Sequence, residues 1–367
     1  MTRWAWAEVS AGAIEHNVRV LAATVAPAQV WAVVKANGYG HGSILAARAA
    51  QVGGAQGLCV ALVQEGVVLR EAGITGPILV LSEQPPAALP AAVHHQLALT
   101  VYSEAQLAAL AACSAVGHPV HLKVDTGMRR VGAATHDAVA VADAIAASSA
   151  VHLDGVFTHL AVADEPDNPF TDHQLDRFDE VLAALRAAGH HPRFVHAANS
   201  AGALAHPRAR LDLVRAGIAI YGISPGPGVD HACAALRPAL SLHARVSHVK
   251  RVAAGERVSY GLRHTFERDT TLATLPLGYA DGVPRRLHAV GGTVLVGGHR
   301  RSIVGAVTMD QLMVDCGDDT VSVGDEAVLI GTQGSHQIMA AEWAESLDTI
   351  AYEIVCGISA RVERCPS

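Results

Sequence analysis

Eight short apolar runs alternate with alanine-rich helical segments over the first two-thirds of the chain, with glycine or proline at most joins. Alternation of this kind builds a parallel sheet, and eight strand-helix units in about 225 residues predict a (β/α)8 barrel of the TIM type. A doubly wound sheet is the alternative, but no G-x-G-x-x-G motif follows the first run. The runs lie near residues 30–35, 58–62, 77–81, 97–101, 120–125, 153–159, 193–198 and 213–217.

The last third of the chain has a different pattern, in which strand-like segments are joined by glycine turns. We therefore predict two domains, a barrel over residues 1–235 and a mostly-β domain over residues 236–367, and the first ~10 residues are candidates to join the β domain. One helix is predicted there, at residues 340–346. The strand-like segments lie near residues 242–249, 271–277, 293–296, 303–307 and 327–330.

The composition excludes several classes of protein. Hydrophobic residues make up 50% of the 367 positions, the formal net charge is −7, and no basic stripe is present, so a nucleic-acid partner is not expected. The six cysteines form no C-x-x-C pair, which argues against a zinc ribbon or a disulfide framework, and no metal site is predicted. Glu8 interrupts the position of a signal-peptide core, and no apolar stretch of about 18 residues follows. These features predict a cytoplasmic protein that does not bind membranes.

The first apolar run ends on a single amine, Lys35, and continues into a loop over residues 36–42 that contains three glycines, a tyrosine and a histidine. Partial desolvation lowers the pKa of an amine toward neutrality and suits it to Schiff-base chemistry or to proton abstraction. A lysine at the end of a strand can also simply extend its charge into solvent. The composition of the loop favours a catalytic role for Lys35.

Polar side chains also follow the later runs. In a (β/α)8 barrel the catalytic groups lie at the carboxyl ends of the strands, so these residues are expected to share one rim. Their cationic groups favour an anionic, phosphate-bearing ligand, with the amides of Gly217 and Ile218 as candidate phosphate donors. Ser200 and Tyr39 are candidate hydroxyl donors to the same group. The rim residues are Lys35, Lys123, Asp125, Arg130, His159, His196, Asn199, Ser200, Arg215, Gly217 and Ile218.

Eight motifs that include most of these residues extend from the first strand almost to the C-terminus. They are AVVKANGYGHG (32–42), KVDTGM (123–128), HAANS (196–200), RAGIAIYG (215–222), VSYG (258–261), GYADG (278–282), MDQ (309–311) and YEI (352–354). In this order they resemble the alanine racemase family, whose members are fold-type III enzymes that use pyridoxal 5′-phosphate. The resemblance covers essentially the whole chain.

The resemblance implies racemisation of alanine by two bases. Lys35 would bind the cofactor covalently and then act as one base, and Tyr260 of the partner subunit would act as the other base on the opposite face of the substrate α-carbon. A phenol is a weak base at neutral pH, so cationic groups are expected near Tyr260. By family analogy His159, Arg215 and His196 form a hydrogen-bonded chain that supplies them.

Further roles follow from the same resemblance. Arg215 would face the pyridine nitrogen of the cofactor, and because arginine can only donate, that nitrogen would stay unprotonated. Arg130 would contact the substrate carboxylate, oriented by Lys123, for which carbamylation is a hypothesis and an ion pair with Asp125 is the alternative. The other implied residues are Met309 for the substrate, Tyr39, Asn199, Ser200, Gly217, Ile218 and Tyr352 for the cofactor, Asp125, His196 and Asp310 as supporting residues, and Asp164, Tyr279 and Arg285 in the entry corridor.

Since Tyr260 and Met309 would act in a partner's site, the resemblance also implies a homodimer with two shared active sites. Its product would be D-alanine for bacterial cell-wall synthesis.

The chain departs from the family pattern at Ala306, where many members have an arginine of the entry corridor, and at Thr308, where cysteine or serine is usual. Loss of the arginine predicts weaker discrimination between alanine and serine, so a broader-specificity racemase is an alternative. A decarboxylase of the same fold type is a second one, although VSYG provides a phenol where those enzymes use a cysteine. A non-catalytic pyridoxal-phosphate-binding protein is the third, although such proteins lack a β domain.

Overall fold

The computed structural model describes residues 3–113 and 115–367. The chain divides by compactness into two units. The barrel unit comprises Gly12–Gly38 and Ser43–Arg237, and the β unit comprises the described residues up to Ala11 together with Tyr39–Gly42 and Pro238–Ser367. No helix within the described ranges is both long enough and apolar enough to cross a membrane.

The barrel unit contains eight apolar strands and one additional two-residue strand. After β1 (Ala5–Val9), which belongs to the β unit, they are β2 (Gln29–Val33), β3 (Gly57–Val60), β4 (Ile78–Val80), β5 (Ala98–Val101), β6 (His118–Asp125), β7 (Ala133–Ala134), β8 (Val151–Phe157), β9 (Phe194–His196) and β10 (Leu213–Ala216). The α-helices that accompany them are Ala11–Val25, Ser43–Val52, Val63–Glu71, Leu89–His94, Glu104–Ala112, Ala138–Ala147, Phe170–Ala187 and Ser200–Ala205.

These strands form a parallel eight-stranded barrel, which confirms the predicted fold class. They pair in the order β10-β2-β3-β4-β5-β6-β8-β9, and β7 pairs only with β6. Main-chain hydrogen bonds from Asp212 N to Val195 O and from Arg215 N to Ala198 O join the two ends of the sheet. All eight apolar runs are strands, whereas the two-residue strand β7 was not predicted because it contains no apolar run of its own.

Large rings fill the barrel interior because glycines face them on neighbouring strands. Trp31 pairs with Gly57 across β2 and β3, and His121 pairs with Gly155 across β6 and β8. A Cβ atom on Gly57 would lie 2.5 Å from the Trp31 ring, and one on Gly155 would lie 2.3 Å from the His121 ring. Barrel interiors are packed in layers, so a large ring on one strand requires a small residue beside it.

The β unit is built on a mostly antiparallel sheet. Its strands, besides β1, are β11 (Leu240–Arg245), β12 (His248–Val252), β13 (Arg257–Val258), β14 (His264–Thr265), β15 (Thr270–Leu275), β16 (Thr293–Val296), β17 (His299–Val304), β18 (Leu312–Asp315), β19 (Glu326–Gln333), β20 (His336–Ile338) and β21 (Glu363–Pro366). The sheet order is β12-β15-β18-β17-β16-β19-β11-β1-β21, with β20 beside β19, and β13 and β14 form a separate hairpin. The helices Ala340–Leu347 and Ala351–Gly357 complete the unit.

The strand predicted at residues 242–249 is two strands rather than one. β11 ends at Arg245 and β12 begins at His248. The break occurs because the chain changes partner, from β19 beside β11 to β15 beside β12. The short 3-10 helices of the chain are Pro86–Ala88, Thr135–Asp137, Pro207–Ala209, Ile218–Tyr221, Pro227–Cys233, Tyr260–Leu262, Tyr279–Asp281 and Leu287–Val290.

Substituting Gly57 by Ala should destabilise the protein, because the new methyl group must displace the Trp31 ring. Overpacking of this kind costs about 1–3 kcal/mol, and urea unfolding of the variant measures it. Gly357→Ala is the control, because an added Cβ there meets no atom within 4 Å. Unfolding midpoints that are equal for Gly57→Ala and the unsubstituted protein would contradict this account of the packing.

Candidate active site

The candidate site of the barrel unit lies at the carboxyl ends of its strands. β6 supplies Lys123, β9 supplies His196 and β10 supplies Arg215, while His159 follows the end of β8. Lys35 follows β2, and its charge contributes to lowering the pKa of both Lys123 and His159. The structure therefore brings together the residues that the barrel pattern predicted to share one rim.

Arg215 is the most heavily hydrogen-bonded side chain of this group. It is buried, with 3% of its surface exposed. Its Nη1 donates to Nδ1 of His196 at 2.7 Å, and its Nη2 lies 3.2 Å from Nδ1 of His159. Nη2 also donates to the carbonyl oxygens of Thr158 at 2.8 Å and Ala197 at 2.9 Å. All four acceptors are uncharged groups, so the guanidinium charge is held in place without being neutralised.

Arg215 also fixes the tautomer of His196. A guanidinium can only donate, so Nδ1 of His196 must accept from Nη1 and carry no proton. The His196 ring is therefore neutral, with its proton on Nε2. Burial, followed by the positive charge of Arg215, holds the pKa of both His159 and His196 well below the usual value, in agreement with this assignment.

Phe157 lies beneath three of these groups. Its ring stacks on that of His196, with centroids 4.6 Å apart and planes within 6°. The Lys123 Nζ lies 5.3 Å and the Arg215 guanidinium 5.0 Å from the same ring centroid. An aromatic face attracts cations through its quadrupole, so Phe157 supports both charges without supplying a carboxylate.

Lys123 is a buried amine in positively charged surroundings. Burial, together with the charges of Arg215, Arg130 and Lys35, lowers the pKa of Lys123 to about 7, against a raising effect from Asp125. A substantial fraction of this amine is therefore neutral at neutral pH. Unlike an ordinary surface lysine, it is available as a nucleophile.

Asp125 shapes the turn that carries Arg130. One carboxylate oxygen, Oδ1, accepts main-chain bonds from Gly127 N at 2.9 Å and Arg129 N at 3.0 Å. Arg129 has φ of 58°, a left-handed conformation that these bonds stabilise. Arg130 itself is exposed, and it borders a small pocket shared with Lys123, Asp125 and His159. This arrangement suits Arg130 to a contact with a small anion.

Lys35 begins a left-handed turn. The four residues 36–39 have φ values of 52°, 53°, 63° and 51°. Left-handed backbone costs a non-glycine residue about 1–2 kcal/mol, so this turn needs support from the groups around it. The position of Lys35 is thus set by a strained and specific backbone rather than by a plain strand end.

Three hydrogen bonds within the barrel unit hold that turn. Glu65 Oε1 accepts from Ala36 N at 2.6 Å, and Asn37 Oδ1 accepts from Ser43 N at 3.0 Å. Gly38 N donates to Val34 O at 2.9 Å. The other Glu65 oxygen accepts from two further main-chain N–H groups, those of residues 61 and 62, so one carboxylate links the turn after β2 to the segment after β3.

Ser200 and the residues after β10 form a group of hydrogen-bond donors. Ser200 Oγ accepts from Gly217 N at 2.8 Å and from Ala219 N at 3.3 Å, which leaves its O–H as a donor. Ile218 begins a 3-10 helix, so its N–H has no acceptor within that helix. Asn199 caps the helix Ser200–Ala205 by accepting from the N–H of its third residue at 2.9 Å. A hydroxyl and a main-chain N–H of this kind suit an anion.

In the β unit, Tyr260 lies on the loop between β13 and β14. Its side chain is 73% exposed. The flanking residues Ser259, Gly261 and Leu262 have φ values of 63°, 77° and 48°. Ser259 Oγ donates to Ala306 O at 2.7 Å and so anchors the loop. Backbone strain of about 1–3 kcal/mol per residue is typical of functional sites, and here it presents a tyrosine to solvent.

Four other predicted residues lie in the β unit, namely Tyr39, Tyr352, Asp310 and Met309. The rings of Tyr39 and Tyr352 have centroids 6.0 Å apart. Asp310 accepts a hydrogen bond from Arg361 at 2.6 Å. Next to Asp310, Met309 is half exposed, at 52%. Their predicted contacts with cofactor and substrate stay predictions.

The residues predicted for the entry corridor are largely at the surface. Tyr279 and Arg285 of the β unit are exposed, whereas Ala306 is buried, with 4% exposure. In the barrel unit Asp164 is half-buried, and a Cβ on Gly226 would lie 2.9 Å from its side chain. The corridor itself and the effect of Ala306 on specificity stay predictions.

Three supporting residues were not predicted from the sequence. Glu65 holds the turn of Lys35, Gln174 donates to His159 O at 3.0 Å, and His121 Nδ1 lies 2.9 Å from His196 Nε2. Glu65 did have a signal, because it is the third residue of the helix Val63–Glu71, where a glutamate caps main-chain N–H groups. No local sequence pattern indicates the roles of Gln174 and His121, because their hydrogen-bond partners lie in distant parts of the sequence.

Comparison with known proteins gives full-length matches. Family models described as "Alanine racemase, N-terminal domain" and "Alanine racemase, C-terminal domain" match residues 9–225 and 239–366. The alanine racemase of Symbiobacterium thermophilum is 48% identical over 98% of this chain and 96% of its own length, and that of Thermobifida fusca is 47% identical over 99% and 98%. The crystal structure of alanine racemase from Bacillus anthracis with bound L-Ala-P has a TM-score of 0.95 at 39% identity, covering 100% of this chain and 96% of that one.

Acidification should destabilise the protein through its buried histidines. Burial lowers the pKa of His121 to about 3 and holds those of His159 and His196 well below the usual value. Below about pH 6.5 the unfolded chain takes up protons at these positions and the folded chain does not. The free energy of unfolding should therefore fall as the pH falls, by up to about 1.4 kcal/mol per pH unit for each histidine.

Urea unfolding at a series of pH values from about 7.5 to about 5 measures this slope. A stability that stays constant across the range would contradict the neutral assignment of the three buried rings.

Proposed function

Because the chain belongs to the alanine racemase family, we propose that it interconverts L-alanine and D-alanine with pyridoxal 5′-phosphate as cofactor. The observation that carries the proposal is that the likeness to alanine racemases extends over both units of the chain. A decarboxylase or a single-barrel binding protein would not account for a matching second unit that presents Tyr260. The product D-alanine would serve cell-wall synthesis in the cytoplasm.

The donors of the barrel unit fit this cofactor. When bound, pyridoxal phosphate supplies an aldehyde for the substrate amine and a conjugated ring that withdraws electrons from the α-carbon. Lys35 would hold the aldehyde carbon through Nζ, and Ser200 Oγ and Ile218 N would donate to the phosphate. Arg215 would donate to the ring nitrogen, and within the described part of the chain no group accepts from its Nε, so a donor remains for this role. The remaining cofactor contacts, including those of Tyr39 and Tyr352, rest on the family resemblance.

Racemisation requires that a proton leave one face of the α-carbon and arrive at the other, which two bases on opposite faces achieve. Lys35 would serve one face, and the partner subunit's Tyr260 would serve the other. His159 would support this assignment, because an N–H of its ring directed at the partner subunit's Tyr260 would stabilise a deprotonated phenol. The 73% exposure of Tyr260 supports its placement in a partner's site, and hence a homodimer with two shared sites.

The substrate carboxylate would bind to Arg130, with Met309 beside it. Arg130, Arg215 and Lys35 give the rim an excess of positive charge, which favours both a phosphate and a carboxylate. The planar fork of Arg130 suits two parallel hydrogen bonds to one carboxylate.

Mixing two inactive variants tests the shared site directly. Lys35→Ala and Tyr260→Phe should each lose racemase activity, by a factor of about 10²–10⁴ for the loss of one proton-transfer group. After the two homodimers are dissociated and reassociated, a mixed dimer has one site with both bases intact. Racemisation should then return to about a quarter of the unsubstituted rate, because half of the dimers are mixed and each has one working site.

Polarimetry with L-alanine and with D-alanine measures this rate. If Tyr260 acted within its own subunit, the mixed dimers would contain no intact site and no activity would return. Mixing each variant with itself provides the matched control.

We expect Lys123 to be carbamylated. Its neutral amine adds to carbon dioxide, forming an N–C bond and releasing a proton, and the resulting anion would orient Arg130. Because the pKa of Lys123 is lowered to about 7, carbamylation should increase with pH as the amine loses its charge. Carbon-13 NMR in labelled bicarbonate should show one carbamate signal at about pH 8 that is absent from Lys123→Arg. A spectrum without that signal would favour the unmodified amine beside Asp125.

A further inference from the structure

His121 is a polar side chain in buried, aromatic surroundings, where an apolar side chain would be expected if packing were its only role. It is fully buried, on the same face of β6 as Lys123 and deeper in the barrel. Its ring lies 6.2 Å from that of Phe194 with planes within 18°, and 6.0 Å from that of Trp31. Gly155 on the neighbouring strand leaves room for it. Burying a polar ring costs free energy unless the ring is hydrogen-bonded, so the nitrogens of His121 are expected to have hydrogen-bond partners.

The hydrogen bond to His196 supplies that reason. His196 accepts from Arg215 at Nδ1, so its proton is on Nε2, 2.9 Å from Nδ1 of His121. His121 therefore accepts at Nδ1 and carries its own proton on Nε2. That Nε2 lies 3.8 Å from Oδ2 of Asp154, and within the described ranges it has no closer acceptor. The nearby carboxylate favours a proton on this nitrogen by electrostatic attraction.

The reverse direction of this chain is excluded by Arg215. If His121 donated from Nδ1, Nε2 of His196 would have to accept and Nδ1 of His196 would carry the proton. That proton would point at Nη1 of Arg215 across 2.7 Å, where two donors cannot form a hydrogen bond. The order Arg215 to His196 to His121 toward Asp154 is the one arrangement that these distances allow.

We propose that His121 is a positioning residue for the racemase reaction: by accepting from His196 it keeps that ring, and with it the Arg215 guanidinium, in a single orientation. The proposal rests on the proposed function, because it assigns Arg215 to the ring nitrogen of the cofactor. Under this assignment His121 would contact neither the cofactor nor the substrate. It acts through His196, whose Nε2–H would otherwise be a buried donor without an acceptor.

Two substitutions at residue 121 separate this role from packing. His121→Phe keeps an aromatic ring in the aromatic surroundings and removes the acceptor. His121→Asn keeps an acceptor at the place of Nδ1 and leaves a cavity where the rest of the ring was. A packing role predicts that Asn is the more damaging change for both stability and activity. A positioning role predicts that stability and activity rank the variants in opposite orders: His121→Asn is the less stable variant, and His121→Phe is the less active one.

Steady-state kinetics of the two holoenzymes test these orders. In His121→Phe, kcat should fall about tenfold while KM for alanine changes by less than about twofold, because substrate-binding groups are untouched. In His121→Asn, kcat should stay within about threefold of the unsubstituted enzyme, since one hydrogen bond is retained. Activity in His121→Phe that equals or exceeds that of His121→Asn would overturn the proposal.

Nitrogen-15 NMR of histidine-labelled protein gives a readout that does not depend on turnover. His196 should show an unprotonated Nδ1 and a protonated Nε2 in the unsubstituted protein and in His121→Asn. A proton on Nδ1 of His196 would overturn the proposal even if neither variant folds. If the unsubstituted protein racemises no alanine, the proposed function fails, and the NMR result still decides whether His121 accepts from His196.

Discussion

A guanidinium buried inside a barrel needs an acceptor for each N–H group that it directs inward. Arg215 obtains its acceptors from the carbonyl groups of Thr158 and Ala197 and from the rings of His159 and His196. Burial lowers the pKa of Arg215 to about 10, which leaves it protonated at neutral pH. A carboxylate partner would cancel this charge, whereas neutral acceptors orient it and preserve it. The tautomer of His196 follows from this one constraint.

The preserved charge determines what the rim can bind. Lys35, Lys123, Arg130 and Arg215 act together on the buried groups, and Asp125 is the acid whose charge opposes them at Lys123. One oxygen of the Asp125 carboxylate, Oδ1, already accepts from two main-chain N–H groups of its own turn. A positively charged site with low-dielectric walls attracts anions, and a phosphate and a carboxylate both meet that requirement. The same field makes the Lys123 amine partly neutral, which is the condition for its modification.

Features that depend on residues close together in the sequence were predictable, and features that depend on residues far apart in the sequence were not. The barrel strands were predictable because each is an apolar run between turn residues, and the rim positions of Lys35 and Arg215 followed because strand ends share one edge. The pairing of His121 with Gly155 was not predictable, because it depends on the register between two strands. The split of residues 242–249 into β11 and β12 was missed for the same reason, since only the change of partner strand interrupts that apolar run.

Under the proposed function, the donor-only character of Arg215 makes the placement of the two bases decisive. If the cofactor's ring nitrogen accepted a hydrogen bond from Arg215 without gaining a proton, the ring would withdraw electrons from the substrate α-carbon less strongly. Negative charge at the α-carbon would then be poorly stabilised and short-lived. The protons must then be taken and returned by groups that are already in position. Both proposed bases, Lys35 and Tyr260, lie next to residues with positive φ, and these segments are anchored by Glu65 in one unit and by the carbonyl of Ala306 in the other. Positive φ costs about 1–3 kcal/mol per residue in these segments. The advantage is that a fixed backbone holds each base in position, so that no reorganisation is needed when the proton is transferred.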